Sequence, residues 1–347
     1  MSGFAEARAR VLGARDALVA QAIAVDAAAG RPAPLASAPV IPLGRAPCLR
    51  RLSDVRLRFD PATPGVPWPA LRDAADGLFA TAAPRVGYAE AILAHEPERW
   101  MFDGRHHRLV AVHEADESLT LTFGPGSYFA TLDSCEVLAH EMAARPDAPG
   151  LRDAIGHPGA LAARSAGLSA CAVTIVVRDD GPRVYLVQRS HTVAVAPGLA
   201  HVVPAGEFQP WADRAWDDPG TFRIEAMLER ELLEELGGVP EDQAAPAFLD
   251  ALVAGGCADA FTWGVFADAV SWKPELVCAL VFDGWPFDDA LGPLVPTSAE
   301  GTLVGGVDGI PFDDLPAWLA PDSGLVPTAR AAVALALRDR DRLLAGR

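Results

Sequence analysis

Cysteine is scarce and poorly placed for cross-linking. The 347-residue sequence has five, Cys48, Cys135, Cys171, Cys257 and Cys278, an odd number with no C-x-x-C pair. That excludes a disulfide framework and a zinc ribbon, and it points to reduced thiols in a cytoplasmic protein. Positive charge is also short. Lys and Arg total 29 against 46 Asp and Glu, a formal net charge of −17, so the clustered cations that nucleic acid or an anionic membrane surface would need are missing. No run of about 18 uncharged apolar residues occurs, so no membrane span is expected. The Ala-rich N-terminus is broken by Glu6, Arg8, Arg10, Arg15 and Asp16, so no signal peptide is expected there. What remains is half hydrophobic and 22% charged, the composition of a compact folded chain. Its length suits two domains. The stretch 145–159, rich in Pro and Gly, marks the boundary between residues 1–165 and 166–347.

The first half reads as α+β. A helix is expected over 4–28 and a strand over 55–59, where apolar and charged residues alternate. Helices follow near 70–82 and 88–94, a strand pair at 107–112 and 119–123, and a helix at 136–144. Arg105-His106-His107-Arg108 has the composition of a phosphate contact, but reads more simply as a solvated loop ahead of a strand. His140-Glu141 opens like a zinc-protease helix. The second His would fall at 144, which is Ala144, so that site fails on spacing.

In the second half, 172–177 and 183–189 form a hairpin about the turn at 178–181. Further strand or buried segments are expected at 248–253 and 278–282, and a closing helix over 326–344. The most informative stretch is Arg230-Glu231-Leu232-Leu233-Glu234-Glu235-Leu236-Gly237. Glu231, Glu234 and Glu235 share one helical face. Leu228, Leu232 and Leu236 make an adjoining apolar stripe with Ile224, and Gly237, Gly238 and Pro240 stop the helix. Neighbouring like charges cost a few tenths of a kcal/mol per pair. Such a cluster is either a solvated acidic face, the commoner case for a good helix former, or a site for a hard cation.

Here the chain resembles the Nudix hydrolases, whose signature is G-x5-E-x7-R-E-U-x-E-E-x-G-U with U apolar. Residues 230–237 match its second half at every fixed position, and Pro204-Ala205-Gly206 stands where the family has Pro-Gly-Gly. Two features depart from it. The spacing from Gly206 to Arg230 is ten residues too long, the excess lying within 211–221. The motif's first Glu is replaced by Phe222, with Asp218 and Glu225 the nearest acids. Gln188-Arg189-Ser190 and Ala196-Pro197-Gly198-Leu199 further resemble a divergent branch that cleaves UDP-glucose and UDP-galactose and carries an extra N-terminal domain. The resemblance spans roughly residues 170–345.

The resemblance implies a Nudix-type α/β/α sandwich with a mixed sheet, preceded by an α+β N-terminal domain. It implies Mg²⁺, with Mn²⁺ able to substitute, held by Glu231, Glu234, Glu235 and the carbonyl of Gly206, with Arg230 orienting the cluster. The activity implied is hydrolysis of a diphosphate linkage in a nucleoside diphosphate-linked small molecule, such as a UDP-sugar giving UMP and sugar 1-phosphate. The alternative is a catalytically diverged Nudix-fold protein that binds a ligand or regulates. Glu300 and Glu275 are the candidate general bases, a box glutamate such as Glu234 serving otherwise. Arg189 and His191 are the candidate substrate contacts.

Overall fold

The computed structural model describes residues 3–79, 82–98, 101–115, 118–190, 198–211, 214–240, 248–298, 301–320 and 323–347. Its strands are β1 (Val40–Pro42), β2 (Arg50–Arg51), β3 (Val55–Phe59), β4 (Arg105–Ala115), β5 (Ser118–Ser127), β6 (Ser169–Arg178), β7 (Gly181–Val184), β8 (Leu186–Arg189), β9 (Ala200–Val202), β10 (Ala205–Glu207), β11 (Ala258–Asp268), β12 (Pro274–Asp283), β13 (Gly301–Leu303) and β14 (Ile310–Pro311). The helices are α1 (Gly3–Gly13), α2 (Arg15–Ala28), α3 (Trp68–Ala74), α4 (Tyr88–His95), α5 (Tyr128–Thr131), α6 (Val137–Ala144), α7 (Gly150–Ile155), α8 (Ile224–Glu235), α9 (Phe248–Ala254), α10 (Gly284–Leu291), α11 (Pro327–Arg338) and α12 (Arg340–Leu343). No helix among the described residues is long and apolar enough to cross a membrane.

The architecture is α/β around a mixed sheet. Its strand order is β1-β11-β12-β6-β7-β14, with β10 added on β6 and β2 on β11. β12 and β6 run parallel, while the flanking pairs are antiparallel. Side chains alternate across a strand, and β6 shows the consequence. Ala170, Ala172 and Val176 join the core beneath α8, whereas Cys171, Val173 and Ile175 pack with α11 on the other face. A strand covered on both faces has no polar side to show, which is why 172–177 reads as an unbroken apolar run. Two smaller sheets, β3-β5-β4 and β13-β8-β9, flank this layer.

Several elements differ from expectation, each for a local reason. The helix expected over 4–28 is two, α1 and α2, breaking at Ala14 so that both pack on α6. The returning strand of the hairpin divides at Tyr185. β7 pairs with β6, and β8 leaves to pair with β9 and β13. Residues 248–254, expected as a strand or a buried segment, form helix α9, which buries Leu249 and has its first turn capped from a distance by Glu229 Oε1, which accepts from the Phe248 N–H at 2.8 Å. The basic run at 105–108 is not a solvated loop. It opens β4, and His106, His107 and Arg108 are buried. The Pro/Gly-rich stretch 145–159 contains α7, in which Leu151, Arg152 and Ile155 are buried.

Candidate metal and diphosphate site

The acidic helix is turned inward. Ile224, Leu228, Leu232 and Leu236 are all buried in the core beneath the sheet, and that stripe rotates the neighbouring carboxylates onto β10. Glu231 is 8% exposed and Glu235 2%, while Glu234 is half-buried. A solvated face would leave all three open. Glu235 Oε2 accepts from the Ala205 N–H at 3.0 Å, and Arg230 Nη2 donates to Glu231 Oε1 at 2.5 Å. Gly206 closes the cluster, because a Cβ built there would sit 2.2 Å from the Glu231 carboxyl carbon. Only glycine lets the strand and this carboxylate come so close.

The structure thus brings Gly206, Arg230, Glu231 and Glu235 together, with Glu234 beside them on the more open side. Among the described residues no group of three His, Cys, Asp or Glu side chains forms a converged metal cluster. The donor chemistry nonetheless suits a hard cation, being carboxylates plus a main-chain carbonyl at a position without a Cβ. Mg²⁺ takes few carboxylates and keeps waters for its remaining positions.

A second polar cluster lies across the sheet at the same end. Register aligns Glu207, Ser169 and Glu275 across β10, β6 and β12, so the three side chains share the face turned to α11. Ser169 Oγ donates to Glu207 Oε2 at 3.0 Å, and His106 Nε2 lies 2.8 Å from the same oxygen. Lys273 Nζ donates to Glu207 Oε1. Burial disfavours the Glu207 carboxylate, but Lys273 and His106 outweigh it and hold its pKa well below the usual range. Burial likewise disfavours the Lys273 ammonium, and Glu207 and Glu136 reverse the effect and raise its pKa. Burial pushes the Glu275 carboxyl up, with Cys171 and Lys273 opposing. Glu275 therefore faces away from α8, toward Thr328 of α11 and His201, whose Nε2 is 3.8 Å from Glu275 Oε1. Burial and the charge of Arg189 depress His201 to about 3.

Arg189 ends β8 opposite Gly301 of β13, and its backbone N–H donates to Leu199 O at 2.9 Å. Its charge is felt by His201 at the edge of the second cluster. His191 and Glu300 lie outside the described residues.

The lengthened loop has its own explanation. Trp216 stacks on Phe59 of β3, with ring centroids 5.7 Å apart and planes at 8°, and Arg105 of β4 sits over the indole at 4.2 Å. His107 Nε2 approaches Trp216 O at 2.8 Å. Phe222 stacks on Phe208 at 5.6 Å and meets Phe123 edge-on. The position that carries a glutamate in the Nudix signature is here part of an aromatic cluster joining the loop to the β3-β5-β4 sheet. Asp218 organises the loop instead, its Oδ1 accepting from the Gly220 N–H at 3.0 Å. Glu225 is half-buried in the first turn of α8, and burial raises its pKa.

Two residues of consequence escaped the motif, Glu207 and Lys273. One signal was present: Lys273 is the single lysine in a chain whose other basic residues are arginine and histidine.

No protein-family model matches the sequence, and no curated protein matches it significantly. Among solved structures, a Nudix hydrolase from Alicyclobacillus acidocaldarius aligns at 18% identity, over 48% of this chain and 89% of its own, with a TM-score of 0.28. Likeness at that level does not bear on activity or substrate.

Proposed function

We propose that the chain is a Mg²⁺-dependent hydrolase of Nudix type. In this reading it splits the diphosphate linkage of a nucleoside diphosphate joined to a small molecule, with a UDP-sugar giving UMP and sugar 1-phosphate as the leading case. The observation that supports it best is the burial of Glu231 and Glu235 against Gly206. Arg230 partners Glu231 and the Ala205 N–H partners Glu235, but two buried carboxylates beside one guanidinium leave a net negative charge that a further cation would offset. Glu231, Glu234, Glu235 and the Gly206 carbonyl are the groups that would hold the metal. Bound Mg²⁺ supplies positive charge against the crowded phosphate oxygens and makes water more acidic.

The protein's own residues do the rest. Arg230 fixes the Glu231 carboxylate through their short contact. Glu234, the most open of the three carboxylates, takes a proton from water as the water oxygen bonds to one phosphorus. The bridging P–O bond breaks, and the other phosphate departs with the electron pair. Glu275 on the opposite face favours an α8 carboxylate as base over the sheet carboxylate. In the same reading residues 166–347 are the catalytic unit and 1–165 shape its substrate side.

A panel of UDP-sugars, dinucleoside polyphosphates and ADP-ribose, assayed with Mg²⁺, tests class and substrate together. Glu234→Gln is expected to lose at least a hundredfold in kcat while melting like the parent without metal. Near-normal turnover in that variant would remove the base assignment, and Glu300→Gln alongside separates a loop acid from the helix acid. The second reading, a ligand-binding protein without turnover, draws on Phe222 in place of the signature glutamate. Tight binding of one panel member with no hydrolysis of any would favour it.

A further inference from the structure

Strand β10 is three residues long, yet it carries the Gly206 carbonyl assigned to the metal. Its backbone pairs with β6 along one edge, and its bond on the α8 side, from the Ala205 N–H to Glu235, is made to one of the very carboxylates the metal would engage. On the opposite face Glu207, next to Gly206, is gripped from three separate places: Ser169 of β6, His106 of β4 and Lys273 just before β12.

Lys273 is itself held by the first half of the chain. The turn before it, Ala269–Trp272, is locked by Arg152 of α7, which is fully buried. Arg152 grips both carboxylate oxygens of Asp26 at 3.0 and 2.9 Å and donates to the carbonyls of Ala269 and Val270. Its guanidinium stacks on Trp272 at 4.5 Å. Trp272 takes a left-handed backbone, φ 56°, which few bulky residues adopt without being held, and its indole N–H donates to Asp26 Oδ2 at 3.2 Å.

We propose that Glu207 is a positioning residue for the metal site. Anchored through Lys273 to the Asp26–Arg152–Trp272 lock, it holds β10 so that the Gly206 carbonyl faces the α8 carboxylates. The inference rests on the proposed function and extends it, because it gives the N-terminal half a task in assembling the site. Glu207 touches neither metal nor substrate in this scheme. Its effect should appear as metal affinity, with the Michaelis constant for substrate at saturating metal little changed.

The test is calorimetric titration of the full chain with Mn²⁺. Glu207→Gln is expected to weaken binding tenfold or more, and Lys273→Arg, which keeps the ion pair, to stay within about threefold of the parent. Because Lys273 is the only lysine, lysine labelled with ¹⁵N at Nζ gives one side-chain signal that reports directly whether the pair has broken. Ser169→Ala, a milder loss of one bond to Glu207, should weaken Mn²⁺ binding by two- to fourfold, and it decides the matter if Glu207→Gln fails to fold. Parent-like affinity in whichever of these two variants folds, with the Lys273 signal displaced, overturns the proposal alone. Absence of Mn²⁺ and Mg²⁺ binding by the parent protein overturns the proposed function and this inference with it.

Discussion

Gly206→Ala isolates the contact on which the proposed metal site depends. The added methyl would begin 2.2 Å from the Glu231 carboxyl carbon and 2.3 Å from its Oε1. Ordinary carbon contact starts near ~3.5 Å, so the carboxylate must retreat by about 1.3 Å. It is the far end of a flexible side chain, so the backbone of α8 need not follow. Forcing a side chain off its rotamer costs about 0.5–1.5 kcal/mol, and alanine in place of glycine returns about 0.4–1 kcal/mol through the unfolded chain. The net change in stability is then within about 1 kcal/mol, a shift in Tm of roughly 2 °C for a chain of this size. Activity should respond very differently, since a displacement of about 1 Å at reacting groups costs on the order of a hundredfold. The assay pairs Mg²⁺-dependent hydrolysis of the best substrate with a melting curve taken without metal. Turnover within threefold of the parent at an unchanged Tm would refute the assigned role of Gly206 and Glu231. Collapse of the fold would show instead that the glycine serves packing.

Three further outcomes are expected. Phe222→Ala should destabilise the chain by about 2–3 kcal/mol in urea unfolding, below the ~3–5 of a fully buried phenylalanine because the ring is only partly buried; a change under 0.5 would mean the loop is not held by its aromatic contacts. Glu275→Gln should reduce kcat less than tenfold, because its carboxyl faces α11, and a hundredfold loss would restore it as a candidate base. His140→Phe should become relatively more stable as pH falls. His140 is fully buried beside Phe4 and Tyr88, with ring centroids 4.7 and 5.2 Å away, and neither ring nitrogen has a hydrogen-bond partner among the described residues. Burial, then the charge of Arg8, lowers its pKa to about 4. A histidine with a depressed folded pKa loses stability as pH drops from its unfolded value of about 6.5 toward 4. The variant should therefore gain about 2 kcal/mol on the parent between pH 7.5 and 5, and an equal difference at both pH values would contradict the assignment.

What could be read from the sequence was local in origin. Helix α8 announced itself because leucines recur every fourth residue and glycines end it, and that spacing alone placed Glu231 and Glu235 together. Whether they faced solvent was not legible, since it depends on what covers the neighbouring stripe. The face of Glu275 was equally hidden. It follows from register with Ser169, and a slip of one residue would reverse it. Glu207 and Lys273 are 66 residues apart in the chain, and Arg152 and Asp26 are 126 apart, so no window of sequence contains either pair. Arg105–Arg108 misled for a related reason. Charged residues are seldom fully buried unless paired, and the groups that receive this run, Glu207 for His106 and Pro64 O for Arg108, come from distant segments.

The two polar clusters settle their charge in different ways, and that difference bears on which of them is a site. On the α11 face a partly buried carboxylate either finds a cation, as Glu207 finds Lys273, or has its pKa raised, as burial does to Glu275. That cluster balances itself and acts as a brace. On the α8 face Glu231 and Glu235 pack against one strand end beside Arg230, with Glu234 on the more open side, in a chain already carrying 17 excess negative charges. A brace could be built there from apolar residues at no loss, since replacing buried ionic groups with well-packed hydrophobic ones is often neutral or stabilising. Carboxylates at such positions, beside a backbone stripped of its Cβ, make physical sense when a further positive charge is to be received between them.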